Sequence, residues 1–153
     1  MPYKGWYKLQ CPEKFIKPLD EFMESYQDGY ILYKSRLEQK FMVYCDINKH
    51  VTKFSLEPFA INYIKPTDGK VHRYFIDFFV EFNNKDRFLV EIKPFSQTVR
   101  PVLPKKQTPK AMTQFHFDLQ TYFINQSKWA AAKNFAEEKG LRFVIVTDKE
   151  LNL

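Results

Sequence analysis

The alternation of apolar and polar residues is most regular in the middle of the chain. Two stretches rich in aromatic and β-branched residues, 71–82 and 87–93, flank the polar segment 83–86. Stretches of this composition on either side of a turn-prone segment predict a β-hairpin. The other predicted elements can be placed around this hairpin.

Polar side chains occur in the second strand of this hairpin at Glu91 and Lys93. Because side chains alternate between the two faces of a strand, these two residues share one face. A turn centred on Asn84 makes Asp77 the antiparallel partner of Glu91, and directly opposed residues have Cβ atoms about 4.5–5.5 Å apart. The sequence therefore predicts two carboxylates and a lysine in one small region of the sheet.

Opposed carboxylates destabilise a sheet, and the pKa of one should be raised by the other. A divalent cation removes this conflict, because magnesium is held by one or two carboxylates together with waters and substrate phosphates. Lys93 can then orient or deprotonate an attacking water. The alternative is an exposed sheet face on which polar residues merely alternate with core residues, and the spacing alone favours this alternative.

A helix is predicted over residues 34–46, where Ser35 and Glu38 have the spacing of a capping box. Apolar residues recur there at helical spacing, at Leu37, Phe41, Tyr44 and Cys45. Glu38 lies at the edge of the predicted buried face, so its carboxylate has two possible roles. It either completes the cap or extends over the hairpin to join the acidic cluster, and the spacing alone favours the cap.

The remaining elements follow from the same periodicities. They are strands over 51–56, 59–64 and 141–147 and helices over 113–124 and 127–139. Ser127 is the predicted cap of the last helix, and Gly140 is its predicted end. This order of helix, strands, two helices and strand indicates an α/β or α+β sandwich around a mixed sheet.

Residues 94–110 combine four prolines with four basic side chains. The prolines exclude an ordinary helix or central strand, so a loop is predicted. Its basic side chains are Arg100, Lys105, Lys106 and Lys110. A basic loop that leaves directly from Lys93 is well placed to hold a DNA backbone. A solvated linker is an equally good interpretation of the same composition.

The composition is that of one domain, with 153 residues and 44% hydrophobic content. A net charge of +6 favours a polyanionic partner. Two cysteines and three histidines without metal-binding spacing predict free thiols, a reducing compartment and no structural zinc. No stretch is long and apolar enough to span a membrane. Residues 1–30 are a predicted N-terminal arm whose aromatic rings either stack on bases or pack on the domain.

Several motifs can be compared with known families. In chain order they are Ser35-Arg36-Leu37-Glu38, Glu57-Pro58-Phe59, Tyr74-Phe75-Ile76-Asp77-Phe78 and Val90-Glu91-Ile92-Lys93-Pro94. This order resembles that of TnsA-like endonuclease domains in the PD-(D/E)XK superfamily, with Ile76 where proline usually stands. Over about residues 30 to 150 the chain resembles still more closely the head completion nucleases of large tailed phages. The features shared with these nucleases are residues 40–46, 72–74, 97–98 and 128–132.

The resemblance implies an α/β protein with a restriction-endonuclease-like fold, in which a central mixed β-sheet is flanked by α-helices. The nuclease domain would span residues 31–153 and hydrolyse phosphodiester bonds in DNA with Mg²⁺ or Mn²⁺. By this resemblance Asp77, Glu91 and Glu38 hold the ion and Lys93 serves the water. Lys128 either approaches the scissile phosphate or is a surface lysine.

The resemblance also implies a late role in phage assembly, in which packaged DNA is trimmed so that head and tail can join. The implied partners are DNA and the portal or neck proteins, without a membrane or a nucleotide cofactor. The implied location is the host cytoplasm during assembly and the virion neck.

Two interpretations without catalysis remain. One is a structural head–tail joining protein whose acidic cluster is vestigial, and the other is a DNA-binding module that uses its basic loop alone. The complete set of Asp77, Glu91 and Lys93 argues against both, because a decaying site is expected to lose such residues first.

Overall fold

The computed structural model describes residues 3–18 and 24–151. In chain order its elements are β1 (Gly5–Lys8), β2 (Tyr26–Gln27), β3 (Tyr30–Tyr33), α1 (Arg36–Ile47), β4 (Val51–Leu56), β5 (Ala60–Ile64), β6 (Val71–Phe75), β7 (Phe78–Phe82), β8 (Arg87–Ile92), α2 (Pro109–Glu138) and β9 (Arg142–Val146). The central sheet of the described residues has the strand order β4-β7-β8-β9. Its first two pairings are antiparallel and the last is parallel, so the sheet is mixed as predicted.

The helices cover the two faces of this sheet. Adjacent residues of β8 belong to different cores, because Val90 packs in a cluster with residues of α1, and Leu89 packs in a cluster with residues of α2. In the first cluster Met42 is 1% exposed, and in the second Ala132 is fully buried. The predicted arrangement of a central mixed sheet flanked by helices is therefore confirmed.

The register of the β7–β8 hairpin is the predicted one. Phe78 pairs with Val90, and continuing this antiparallel register by one residue places Asp77 opposite Glu91. The prediction of one continuous strand over 71–82 is wrong, however. β6 ends at Phe75 and pairs with β5 in a separate two-stranded sheet, and the chain then changes partner before β7.

The break between β6 and β7 is stabilised by contacts that are distant in sequence. The side chain of Ile76 is fully buried in the cluster beneath α2. The Asp77 carbonyl accepts a hydrogen bond from the Glu57 N–H at 2.9 Å. The Asp77 side chain also accepts a hydrogen bond from the Ile92 N–H at 2.8 Å. In a continuous strand a backbone carbonyl would accept from this N–H. The break therefore positions the Asp77 carboxylate next to the end of β8.

α1 begins as predicted. The Ser35 hydroxyl accepts a hydrogen bond from the Glu38 N–H at 3.0 Å, and the helix buries one stripe of side chains. In a capping box the glutamate accepts from the N–H of the capping residue. Here Glu38 accepts instead from the N–H of Lys34, one residue earlier, at 2.7 Å.

The two helices predicted over 113–124 and 127–139 are one helix, α2, of 30 residues. The polar residues around Ser127 do not interrupt it, so Ser127 is not a cap. The true cap is Thr108, whose hydroxyl accepts from the Ala111 N–H at 3.1 Å. Pro109 is tolerated at the first helical position because the N–H it lacks has no partner within a helix.

At the two ends of α2, the predicted position of Lys110 is wrong and the predicted role of Gly140 is confirmed. Lys110 lies in the first turn of the helix rather than in the loop. Gly140 ends the helix with a positive φ of 70°, and the Leu141 N–H bonds the Ala136 carbonyl at 2.8 Å. This is the bond pattern of a glycine-terminated helix.

The N-terminal residues pack on the rest of the protein. β1 pairs with β3, and Leu9 and Phe15 are buried in the same cluster as residues of α1. The carboxylate of Asp46 on α1 accepts hydrogen bonds from the Tyr7 hydroxyl and the backbone N–H groups of Gln10 and Cys11. The boundary between an arm of residues 1–30 and a domain of residues 31–153 stays a prediction.

Both cysteines are free thiols, as predicted. Burial raises the pKa of the Cys45 thiol well above its usual range, so this thiol is protonated at neutral pH. Within the described residues no helix is long and apolar enough to cross a membrane.

Candidate active site

Asp77 and Glu91 meet where β7 begins and β8 ends. Glu91 is 4% exposed, and its Oε2 atom accepts a hydrogen bond from the indole Nε1–H of Trp129 at 3.3 Å. The Oδ2 atom of Asp77 accepts the Ile92 N–H at 2.8 Å. One oxygen of each carboxylate is thus held by a neutral donor of the surrounding protein.

The proximity of the two carboxylates has a clear electrostatic consequence. The pKa of Asp77 is raised well above its usual range, chiefly by burial and then by the Glu91 carboxylate, which also shares a hydrogen bond with it. The Ile92 N–H lowers the pKa, but not enough to offset these effects. A raised pKa on one of the opposed carboxylates is what the sequence predicted. Without a nearby cation, ionising both groups is unfavourable.

Glu38 approaches this pair from α1. Burial is the main cause that raises its pKa, and the charges of Glu57 and Glu91 add to it. Glu38 in turn contributes to the raised pKa of Asp77. Glu38, Glu57 and Asp77 also line a cavity of about 30 Å³, which is sufficient for a water molecule. The side chain therefore both helps to cap α1 and faces the acidic pair.

The structure also brings two lysines to this end of the sheet. Lys93 follows β8 directly, and its N–H bonds the Val146 carbonyl at 3.1 Å. The Lys128 ammonium lies 5.7 Å from the ring centroid of Tyr63 and 5.6 Å from that of Tyr74. These contacts place Lys128 on the α2 side of the sheet, where Glu91 meets Trp129.

The pKa of Lys128 is affected by several charged residues around it. Its pKa is lowered, first by burial and then by the positive charge of Lys93, with a smaller contribution from Lys65. The carboxylates of Glu91 and Asp77 act in the opposite direction. Lys65 was missed in the sequence, although it follows β5 at the turn that leads into β6.

Magnesium is compatible with this site. Among residues 3–18 and 24–151, no three histidine, cysteine, aspartate or glutamate side chains form a complete metal-binding group. Two carboxylates suffice for magnesium, because it keeps several waters and takes further oxygens from phosphates. The Tyr74 hydroxyl supports this view, because it is buried near Glu91 and Asp77 and has no partner of good hydrogen-bond geometry among the described residues, although Glu91 is close enough to raise its pKa. An ion-bound water would supply one.

The other predicted DNA-binding side chains lie in the proline-rich segment after Lys93 and in the first turn of α2. Lys105 and Lys106 are exposed in the proline-rich segment, and Lys110 is exposed in the first turn of α2. Arg100 lies over the ring of Phe123, 5.2 Å from its centroid. The segment starts directly after Lys93, as predicted, and is held there by a hydrogen bond from the Phe95 N–H to Asp148.

The central mixed sheet flanked by helices is the restriction-endonuclease-like fold. Residues 48–148 match the model of the TnsA-like endonuclease N-terminal domain, and the chain belongs to this family. It is also 34% identical over 121 residues to the head completion nuclease of Enterobacteria phage T4. The aligned region covers 79% of this chain and 81% of that protein. The predicted resemblance is confirmed. The family match includes Asp77, Glu91, Lys93 and Lys128, whereas Glu38 precedes it.

Proposed function

We propose that this protein is a metal-dependent DNA endonuclease that acts in phage head completion. The observation that carries this proposal is the pairing of Asp77 with Glu91 beside Lys93 and Lys128. Membership of an endonuclease family supports the nuclease activity, and similarity to the head completion nuclease of phage T4 supports the role in assembly.

Each residue of the site has a role in phosphodiester hydrolysis. Asp77 and Glu91 would hold a magnesium or manganese ion, and Glu38 would add negative charge from α1. When bound, the ion offsets charge on the scissile phosphate and lowers the pKa of a coordinated water. Lys93 orients the attacking water or accepts its proton. Lys128, which is held against two tyrosine rings, provides positive charge for the phosphate.

The DNA backbone is held by basic side chains around the site. Lys128 lies close to the carboxylates, and Lys65 lies close to Lys128. The proline-rich segment adds Arg100, Lys105 and Lys106, and the first turn of α2 adds Lys110. Contacts of this kind bind DNA without sequence preference and release counterions. We place the activity in the host cytoplasm during assembly and at the virion neck, with portal or neck proteins as further partners.

Binding of the ion is tested by its effect on stability. Magnesium or manganese should raise the melting temperature, because an ion that binds the folded state stabilises it by about 2.7 kcal/mol at 100 times its Kd. For a domain of this size that corresponds to roughly 5–10 °C. The rise should disappear in the double variant Asp77→Asn, Glu91→Gln. An equal rise in both proteins would place the ion at another site.

The role of the proline-rich segment is tested by salt dependence. Changing Arg100, Lys105, Lys106 and Lys110 to glutamine should weaken duplex binding and reduce the slope of log K against log salt. Each phosphate contact contributes about 0.9 to this slope. Lys49→Gln with Lys85→Gln, at the far end of the β7–β8 hairpin, is the control and should leave it unchanged. An unaltered slope in the fourfold variant would identify the segment as a solvated linker.

A further inference from the structure

Trp129 is hydrogen-bonded to Glu91, one member of the acidic pair. Its indole ring is 6% exposed on α2, and its Nε1–H donates to Oε2 of Glu91 at 3.3 Å. A buried indole N–H needs an acceptor, and an ionised carboxylate can only accept. The bond therefore fixes one oxygen of the Glu91 carboxyl group.

Trp129 holds the carboxyl group of Glu91 by a hydrogen bond, as a backbone N–H holds that of Asp77. The Oδ2 atom of Asp77 is fixed by the rigid Ile92 N–H. Glutamate has one more rotatable bond than aspartate, so Glu91 needs a fixed donor to hold its carboxyl group in one orientation. The Tyr74 hydroxyl is also close to Glu91, but its position lacks good hydrogen-bond geometry, whereas the indole N–H of Trp129 has it.

We propose that Trp129 is a positioning residue that orients the Glu91 carboxylate for divalent-cation binding. This inference rests on the proposed metal-dependent function and assigns the indole a role beyond packing in the core. Loss of a hydrogen-bond partner behind a metal ligand typically weakens metal affinity 10- to 100-fold.

The variant that tests this role is Trp129→Phe, which removes the N–H and retains an aromatic ring. Titration with Mg²⁺ in the absence of DNA, followed by calorimetry, should give a Kd about 10- to 100-fold higher than that of the wild type. The matched control is Phe135→Leu on the same helix, because Phe135 packs on the same cluster without bonding either carboxylate. This control should lower the melting temperature while its Mg²⁺ affinity stays at the wild-type value.

A spectroscopic measurement covers the case in which Trp129→Phe does not fold. The chain contains two tryptophans, so in Trp6→Phe the tryptophan emission comes from Trp129 alone. Mg²⁺ changes the charge around Glu91, so Trp129 emission should change with the same midpoint as the calorimetric titration. Glu91→Gln in the same background should remove this response.

The outcomes separate this inference from the proposed function. If the wild type and Phe135→Leu both bind Mg²⁺ and Trp129→Phe binds it equally well, the positioning role is wrong. An emission that stays constant while calorimetry shows saturation also overturns it. If the wild type itself binds no Mg²⁺, the proposed metal-dependent function fails first.

Discussion

Asp77→Ala, Glu91→Ala and Lys93→Ala are each expected to slow DNA cleavage at least ~1000-fold, which corresponds to about 4.1 kcal/mol of transition-state stabilisation. The first two remove the proposed oxygen ligands of the ion. The third removes the group proposed to orient or deprotonate water, and loss of general acid–base catalysis typically costs about 10²–10⁴-fold. Initial rates on plasmid DNA at saturating magnesium measure the effect.

The matched control for these variants is Glu81→Gln. Glu81 lies in the same hairpin, where it pairs with Arg87 at the end remote from Asp77. This variant should cut at the wild-type rate, and circular dichroism should show that all four variants keep their secondary structure. If Lys93→Ala cuts as fast as the wild type, the proposed role of the lysine is wrong.

Glu38→Gln is expected to slow cleavage at least ~100-fold, or about 2.7 kcal/mol, while the protein stays folded. The glutamine oxygen can still accept the Lys34 N–H, so the cap survives. An amide has no negative charge and is a weaker partner for a cation. The melting temperature should stay within a few degrees, since the cap and dipole contributions are about 1 kcal/mol or less.

If Glu38 has both roles, Ser35→Ala should lower stability and leave cleavage unchanged. It removes the hydroxyl that accepts the Glu38 N–H and costs about 1 kcal/mol of stability, but it leaves every carboxylate in place. Cleavage by Ser35→Ala should therefore match the wild type at a temperature where both are folded. A Glu38→Gln protein that cuts at the wild-type rate would show that Glu38 is a helix cap alone.

The parts of the site that depend on neighbouring strands could be predicted from the sequence. The position of the turn determined that Asp77, just before β7, faces Glu91, because an antiparallel register has few alternatives once the loop is known. The serine that caps α1 and the glycine that ends α2 were also predictable, since both act on backbone groups a few residues away.

The parts that depend on tertiary packing could not be predicted. Residues 71–82 have the composition of one strand, and the change of partner at Asp77 requires contacts with Glu57 and Ile92 that local periodicity does not contain. The polar residues in the middle of α2 resemble a helix boundary. They stay helical because residues on both sides, such as Ile124 and Trp129, pack on the same cluster.

The contact between Trp129 and Glu91 was likewise absent from the sequence prediction. The residues are 38 positions apart, on a helix and a strand whose relative placement depends on the fold. Lys65 was missed for the same reason, because its turn is brought to the site when β5 packs on α2. Sequence identified the residues with acid–base chemistry, and the fold was needed to identify the side chains that hold them.

The central claim is that this protein hydrolyses DNA with a divalent cation held by Asp77 and Glu91. The most direct test incubates the purified protein with plasmid and linear DNA in EDTA, in magnesium and in manganese, and follows the products on gels. The claim predicts cleavage with either ion and none in EDTA, with activity restored when excess magnesium is added back. Cleavage at the same rate in EDTA, or intact DNA under all conditions, would contradict it.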